Sequence, residues 1–383
     1  MPPEEAIDVE RLEESCVFFE CYLYPFSQLY DGIHIPLSIS ICVFGTISNI
    51  FNIIVLTRKT MRNPINILLC GLSAAQWLLA SNYLAFLIVE HYRMQCFALL
   101  WSEALTWYRF FNVNLNVVFH TIAFLTTIIV AVYRYFAVKY PLRASSYLYK
   151  PQLAVAANIA VWIVVPLMCV PVFFISEVKG IDGEHMNCTF TEPMFDLNYQ
   201  ANPVLVSAVF WMFGIVLKLI PSLVLTALLI GLIKSLKSVE RRRSKWKHAT
   251  RSRSAGSDKS GRKFSSRPRT TRMLVIILLL CVIVELPNGI LNLLMAIYGE
   301  EFGIRIYDHV GSFMEMLTLL YSSLSFALYC SMSNDFLTTF RALFMPWWND
   351  DKDAFSGSYI AVNTSAVGFR RNRRRATEAV IGP

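Results

Sequence analysis

The chain is predicted to be all-α, a seven-transmembrane helix bundle followed by a short amphipathic eighth helix. Three observations predict it. Seven long apolar runs recur along 383 residues. Hydrophobic residues make up 55% of the chain and charged residues 16%, with a mean hydropathy of +0.47, whereas a soluble domain carries about 25% charged residues. The polar segments between the runs alternate between basic and acidic. A bilayer core of roughly 30 Å needs about 20 apolar residues per helix, which these runs supply. A membrane β-barrel would instead show alternating segments of about ten residues.

The spans are read at about 34–57, 65–90, 104–138, 152–176, 204–234, 271–298 and 306–332. This divides the chain into an extracellular tail over 1–33, a membrane domain over 34–345 and a disordered cytoplasmic tail over 346–383. Basic residues mark the cytoplasmic side: Arg58, Lys59 and Arg62, then Lys139, Arg143 and Lys150, then a cluster from Lys234 to Arg272, then Arg370 to Arg375. The other side is acidic, from Glu4 to Glu14, at Asp182, Glu184 and Glu192, and at Glu300, Glu301 and Asp308. The N-terminus is therefore expected outside and the C-terminus inside. The net charge of +8 reads as a topology signal and not as a nucleic-acid-binding face.

Each segment carries its own signals. The first thirty residues are acidic and lack an apolar core, so no signal peptide is expected and the first span serves as the insertion signal. That span holds Gly45-Thr46-Ile47-Ser48-Asn49, and the second holds Leu72-Ser73-Ala74-Ala75-Gln76. In the third, Asn112, Asn116 and His120 share one helical face that continues to Thr127 and Arg134. Pro171, Pro221 and Pro287 lie in spans four, five and six, where each removes a backbone hydrogen bond and kinks its helix. Lys237 to Arg269 is rich in Ser, Arg and Lys, a mobile inner loop with helical extensions at both ends. Phe336, Phe340 and Phe344 recur every four residues, which lays one aromatic face on the inner leaflet.

Charged residues at membrane depth are functional-site hypotheses by default. Lys218, Glu285 and Glu315 are such residues, with a structural ion pair as the plainer alternative. For Asn112 and Asn116 that alternative is interhelical hydrogen bonding. The nine cysteines show no metal spacing, and no nucleophile–base pair appears, so no catalytic residue, metal or cofactor is expected. A transporter would show related halves and interrupted helices. Neither is present.

The third span ends Tyr133-Arg134-Tyr135-Phe136-Ala137-Val138, followed by Tyr140-Pro141-Leu142. With Asn49, Trp162 and the ordered prolines, this resembles the rhodopsin-like G-protein-coupled receptors from about residue 34 to about residue 345. The chain departs from their pattern in several places. Tyr133 replaces the acid before the arginine, and Gln76 replaces the second-span aspartate. Glu285 replaces the tryptophan two residues before the sixth-span proline, and Ser325-Phe326-Ala327-Leu328-Tyr329 replaces Asn-Pro-x-x-Tyr. Tyr329-Cys330-Ser331-Met332-Ser333, Lys218-Leu219-Ile220-Pro221 and Glu285-Leu286-Pro287-Asn288-Gly289 are similar to strings of invertebrate FMRFamide- and myosuppressin-type peptide receptors and of nematode Srw receptors.

The resemblance implies a receptor for an extracellular peptide that couples to a heterotrimeric G protein, with arrestin, kinases and membrane lipid as further partners. A small-molecule chemoreceptor is the alternative. It implies coupling through Arg134, Tyr135, Pro141, Leu142 and Tyr329. It also implies a ligand site among Glu315, Glu103, Asn112, Asn116, His120, Lys218 and Glu285. Glu315 is expected to take an arginine of the ligand, with Glu103 at the rim as second choice. Lys218 and Glu285 are expected to pair, with His120 nearby. Cys188 is expected in a disulfide with Cys16, Cys21 or Cys96, an N-terminal cysteine being favoured, because Arg109 stands where the family has its usual partner cysteine. Asn187-Cys188-Thr189 is a glycosylation pattern. Ser244, Ser252, Ser254, Ser265, Ser266 and Thr377 follow basic residues as kinase targets do.

Overall fold

The computed structural model describes residues 18–140, 150–181, 184–185, 188–189, 193–199, 203–253, 267–299, 302 and 306–345. Among these, seven helices are long and apolar enough to cross a membrane: Gly32–Leu56, Pro64–Arg93, Glu103–Lys139, Pro151–Phe174, Val204–Arg242, Leu274–Tyr298 and Val310–Ser331. Their bounds follow the apolar runs to within a few residues, except in the third inner segment, where helix continues well past the apolar stretch.

Helix α1 (Phe18–Leu56) begins well before the first apolar run and carries Pro25 and Pro36 within it. Helix α2 (Pro64–Arg93) is started by Asn63, whose side chain accepts from the Asn66 amide, with Pro64 in the first turn, where a missing N–H costs nothing. Helix α3 (Glu103–Lys139) follows a 3₁₀ turn at Ala98–Trp101. Helix α4 (Pro151–Cys169) ends in a second such turn, Val170–Phe174. An outer hairpin then pairs β1 (Ser176–Ile181) with β4 (Met194–Tyr199), antiparallel with Lys179 opposite Asp196. Within it β2 (Glu184–His185) pairs with β3 (Cys188–Thr189).

The fifth span consists of α5 (Pro203–Trp211), a π-helical stretch at Met212–Leu219 and α6 (Ile220–Arg253). The Ile220 amide bonds the Ile215 carbonyl, five residues back. Pro221 has no N–H, and its ring would clash with the carbonyl of Leu217 in a regular α-helix. The wider turn relieves this. It also rotates the stretch, so that Gly214 and Lys218 face the bundle while Val216 and Ile220 face outward. A Cβ on Gly214 would stand 3.2 Å from the Asn292 backbone, so a larger residue would push the fifth and sixth spans apart by a few tenths of an ångström.

Helix α7 (Arg267–Tyr298) contains Pro287, and helix α8 (Asp308–Met332) forms the seventh span. One core cluster joins Phe124 of α3, Leu225 and Leu232 of α6, Leu278 and Cys281 of α7 and Tyr321 of α8. A second joins Cys42, Leu79, Tyr83 and Leu319. Cys42, Cys169 and Cys281 are buried free thiols, as small apolar packing requires. A separate unit begins at Ser333. In it Ser333 caps α9 (Asn334–Phe344), and the rings of Phe340 and Phe344 lie 5.0 Å apart at a tilt of 38°.

Some expectations lie outside what is described. Pro141, Leu142, Cys16, Asn187, Ser254, Ser265, Ser266 and Thr377 fall there, as do the side chains of Cys21, Cys188, Ser244 and Ser252. Cys96 is disulfide-bonded. It occupies the left-handed region at φ 60°, which costs a non-glycine residue about 1 kcal/mol or more.

Candidate functional site

A cavity of about 420 Å³ opens between the outer halves of spans two to seven. Its apolar wall includes Phe86, Val172, Phe210 and Phe213, and its polar groups are Asn112, Asn116, His120, Lys218, Asn288, Asn292 and Glu315. The polar face of α3 read from the sequence is therefore turned inward, as an intramembrane polar stripe must be.

The two asparagines of that stripe differ in use. Asn112 and Asn82 donate to each other's backbone carbonyls, at 3.1 and 2.9 Å. Asn112 thus joins α2 to α3. Asn116 donates to Glu315 Oε1 at 2.6 Å, and the Tyr83 hydroxyl also faces that carboxylate. No cation among the described residues lies within ion-pair distance of Glu315. The cation within electrostatic reach, Lys218, is already engaged.

Lys218, His120 and Glu285 meet at the cavity floor. Lys218 Nζ lies 2.8 Å from His120 Nδ1 and 3.4 Å from Glu285 Oε2, and His120 Nε2 lies 3.0 Å from Glu285 Oε1. An ammonium has only donors, so His120 Nδ1 accepts from it and Nε2 carries the proton donated to Glu285. Tyr321 adds a third donor to the carboxylate at 3.3 Å. Ser222 donates to the Lys218 carbonyl at 2.7 Å, beside the π-stretch that turns Lys218 inward. The cluster links α3, the fifth span, α7 and α8 with its two charges balanced. Glu285 is fully buried behind its partners and does not line the cavity. Glu103 is exposed in the first turn of α3 and does not line it either. A carboxylate at a helix N-terminus is already favoured by the backbone dipole, which accounts for Glu103 without a ligand.

The outer rim holds a second charge cluster that sequence reasoning missed. Asp196 Oδ1 of β4 lies 2.7 Å from both Arg93 and Arg109, and Arg109 also contacts Glu90 at 2.9 Å. The Arg93 guanidinium stacks 3.7 Å over the Trp101 ring. Its approach to Asp196 is electrostatic, outside hydrogen-bonding geometry. Burial pushes the Asp196 carboxyl up. Arg93, the Leu197 amide and Arg109 outweigh it and hold the carboxyl below the usual range. Thr106 donates to the Phe195 carbonyl at 3.0 Å. Arg109, at the register where the resemblance puts a cysteine, thus ties the outer hairpin to α3 by charge.

Residues 36–346 match the family described as serpentine type 7TM GPCR chemoreceptor Srw. The chain belongs to the Srw family. It is a G-protein-coupled receptor that crosses the membrane several times. It is 30% identical over 366 residues to the G-protein coupled receptor dmsr-1 of Caenorhabditis elegans, covering 83% of this chain and 69% of that one. It is 26% identical to sex peptide receptor-related protein 2 of the same species, over 88% and 81% of the two chains. It is 24% identical to the sex peptide receptor of Drosophila melanogaster, over 84% and 74%.

At the inner end of this Srw receptor, Arg134 is half-buried within electrostatic reach of Tyr329, itself buried. The Tyr135 ring packs where a Cβ on Gly231 of α6 would stand, 2.9 Å from it. Tyr133, where the rhodopsin-like pattern has an acid, is buried, and its hydroxyl has no hydrogen-bond partner among the described residues. Beneath the cavity, Asn52 donates to Ser325 at 3.2 Å, and Gln76 is buried. These side chains are neutral.

Proposed function

We propose that this receptor sits in the plasma membrane with its N-terminus outside, binds an extracellular peptide and activates a heterotrimeric G protein through Arg134. The names of two relatives, which contain "sex peptide receptor", favour a peptide ligand. The observation that carries the site is the contrast between two carboxylates. Glu285 is matched by Lys218 and His120, whereas Glu315 faces the cavity with an amide and a hydroxyl but, among the described residues, no cation. A cationic ligand group completes it, and the resemblance to FMRFamide-type receptors makes that group an arginine near an amidated C-terminus.

The experiment is a panel of peptides ending in Arg-Phe-amide, tested for GTP exchange in membranes carrying the wild type and Glu315→Gln. Half-emptying a desolvated arginine–carboxylate pair costs about 3–5 kcal/mol, so potency falls more than a hundredfold. Unchanged potency at equal surface level removes Glu315 from the site. The family's description as chemoreceptors and a cavity within the usual small-ligand range favour one second reading, a small-molecule ligand. A receptor silent to the peptides and activated by a small organic cation would establish it.

A further inference from the structure

Asn288 and Asn292 stand one turn apart on α7, beyond the Pro287 kink, and both line the cavity. Asn292 Nδ2 donates to the Asn288 backbone carbonyl at 2.8 Å and to Asn288 Oδ1 at 2.9 Å. A backbone carbonyl only accepts, so the first bond fixes which end of the Asn292 amide is nitrogen. The second bond then fixes Asn288, with Oδ1 toward Asn292 and Nδ2 turned away. Asn292 Oδ1 and Asn288 Nδ2 make no further hydrogen bond among the described residues, and neither is sealed from the cavity. The pair therefore leaves one acceptor and one donor unused on the cavity wall. Its base is rigid, because the Asn292 backbone packs against Gly214 of the π-stretch.

The geometry points to a subsite that reads a primary carboxamide, resting on the peptide reading above. A primary amide carries an N–H beside its C=O along one edge. That N–H donates to Asn292 Oδ1, and the C=O accepts from Asn288 Nδ2. A trans peptide bond sets its N–H and C=O on opposite sides and cannot present both to the pair. A carboxylate has no donor. It would set oxygen against Asn292 Oδ1 in a cavity that also holds the Glu315 carboxylate. Asn288 and Asn292 are thus specificity-determining residues for an amidated end over a free acid.

The probe is a panel peptide that activates the wild type. It is compared with its free acid, its C-terminal N-methylamide and a version in which any Asn or Gln is replaced by Leu. The N-methylamide is neutral, so it separates hydrogen bonding from charge, because its single N–H points away from its carbonyl. At about tenfold per hydrogen bond, the amide should exceed the N-methylamide at least tenfold at the wild type, and the Asn/Gln-free version should keep that potency. Asn288→Ala leaves the backbone bond that orients Asn292. This variant and Asn292→Ala should each lower the amide potency roughly tenfold; Asn292→Ala should leave the N-methylamide unchanged, whereas Asn288→Ala removes the donor its carbonyl can still use and should lower it too. Asn288→Asp keeps the acceptor for Asn292 and offers no donor, so it should give the same amide-to-N-methylamide ratio as Asn288→Ala even if the alanine variants fold poorly. Equal potency of amide and N-methylamide at the wild type, or a ratio unmoved by Asn292→Ala at equal surface level, overturns this assignment alone. Loss of potency in the Asn/Gln-free version reassigns the edge to a side chain and overturns the C-terminal assignment. A wild type silent to the whole panel overturns the peptide reading, and the subsite with it.

Discussion

Asp196→Asn should release the outer hairpin while leaving the helix bundle intact. In the wild type, Asp196 and Glu90 balance Arg93 and Arg109, with Asp196 2.7 Å from both arginines. The substitution leaves the cluster one positive charge in excess. Arg109 keeps Glu90 at 2.9 Å, but Arg93, 1% exposed, keeps Glu90 only at 3.9 Å. Removing one partner of a buried ion pair costs about 3–5 kcal/mol. The surviving Glu90 contacts and the slight exposure of Arg109 place this case near about 3 kcal/mol. That corresponds to roughly a hundredfold shift from docked to undocked hairpin. Hydrogen exchange of the β1 and β4 amides reads it directly, as lost protection across Ser176–Ile181 and Met194–Tyr199 with the span amides unchanged. The compensated variant Arg109→Met with Asp196→Leu returns the cluster to neutrality and should recover most of the protection. Protection unchanged in Asp196→Asn, or a double variant worse than both singles added, would refute the clasp. The pH dependence follows from the same contacts. Asp196 is held below the usual carboxylate range. Its contribution is therefore complete above its unfolded value near about 3.9 and is lost only as pH falls through the lower folded value. Hairpin protection, corrected for intrinsic exchange, should be level from about pH 8 to about pH 5.

Glu285→Gln should lower efficacy or surface expression, because it strands Lys218 inside the bundle. Adding Lys218→Met should partly restore it, whereas an additive loss in the double variant would count against the pair. Arg134→Ala should abolish GTP exchange at normal surface level, and full signalling by that variant would rule out the transducing role. With Tyr133 in place of an acid beside Arg134, the wild type should show ligand-free exchange above that of Arg134→Ala membranes. Sodium should not lower agonist affinity more than an equal concentration of a bulky cation. Gln76, Asn52 and Ser325 are neutral and offer too little charge to offset ion dehydration, so a selective sodium effect would contradict this.

Two kinds of feature separate what was legible in the sequence from what was not. Charges at membrane depth are legible because the surroundings leave them few options: Lys218, Glu285 and His120 had to find one another or water, and they meet within 3.4 Å. The same cost explains the long apolar runs and the inward turn of the α3 stripe. An acid at the mouth of a bundle and an acid at a helix start look alike in sequence, and Glu103 stands exposed in the first turn of α3. Arg93 is illegible in the sequence for a related reason. A cation at a span end usually snorkels to water, yet here Trp101 and Asp196 close over it. The hairpin was invisible because Ser176-Glu177-Val178-Lys179-Gly180-Ile181 has little strand patterning, and its pairing is held in place by Asp196, a contact remote in sequence. The π-stretch lies beside Pro221, whose ring and missing N–H disfavour a regular turn, and Gly214 lets the α7 backbone at Asn292 approach it. That stretch turns Lys218 to the cavity floor, and Gly214 supports the backbone of Asn292. One irregular turn in the fifth span therefore positions groups of both the charged floor and the amide-bearing wall, so shortening it by a residue should damage both at once.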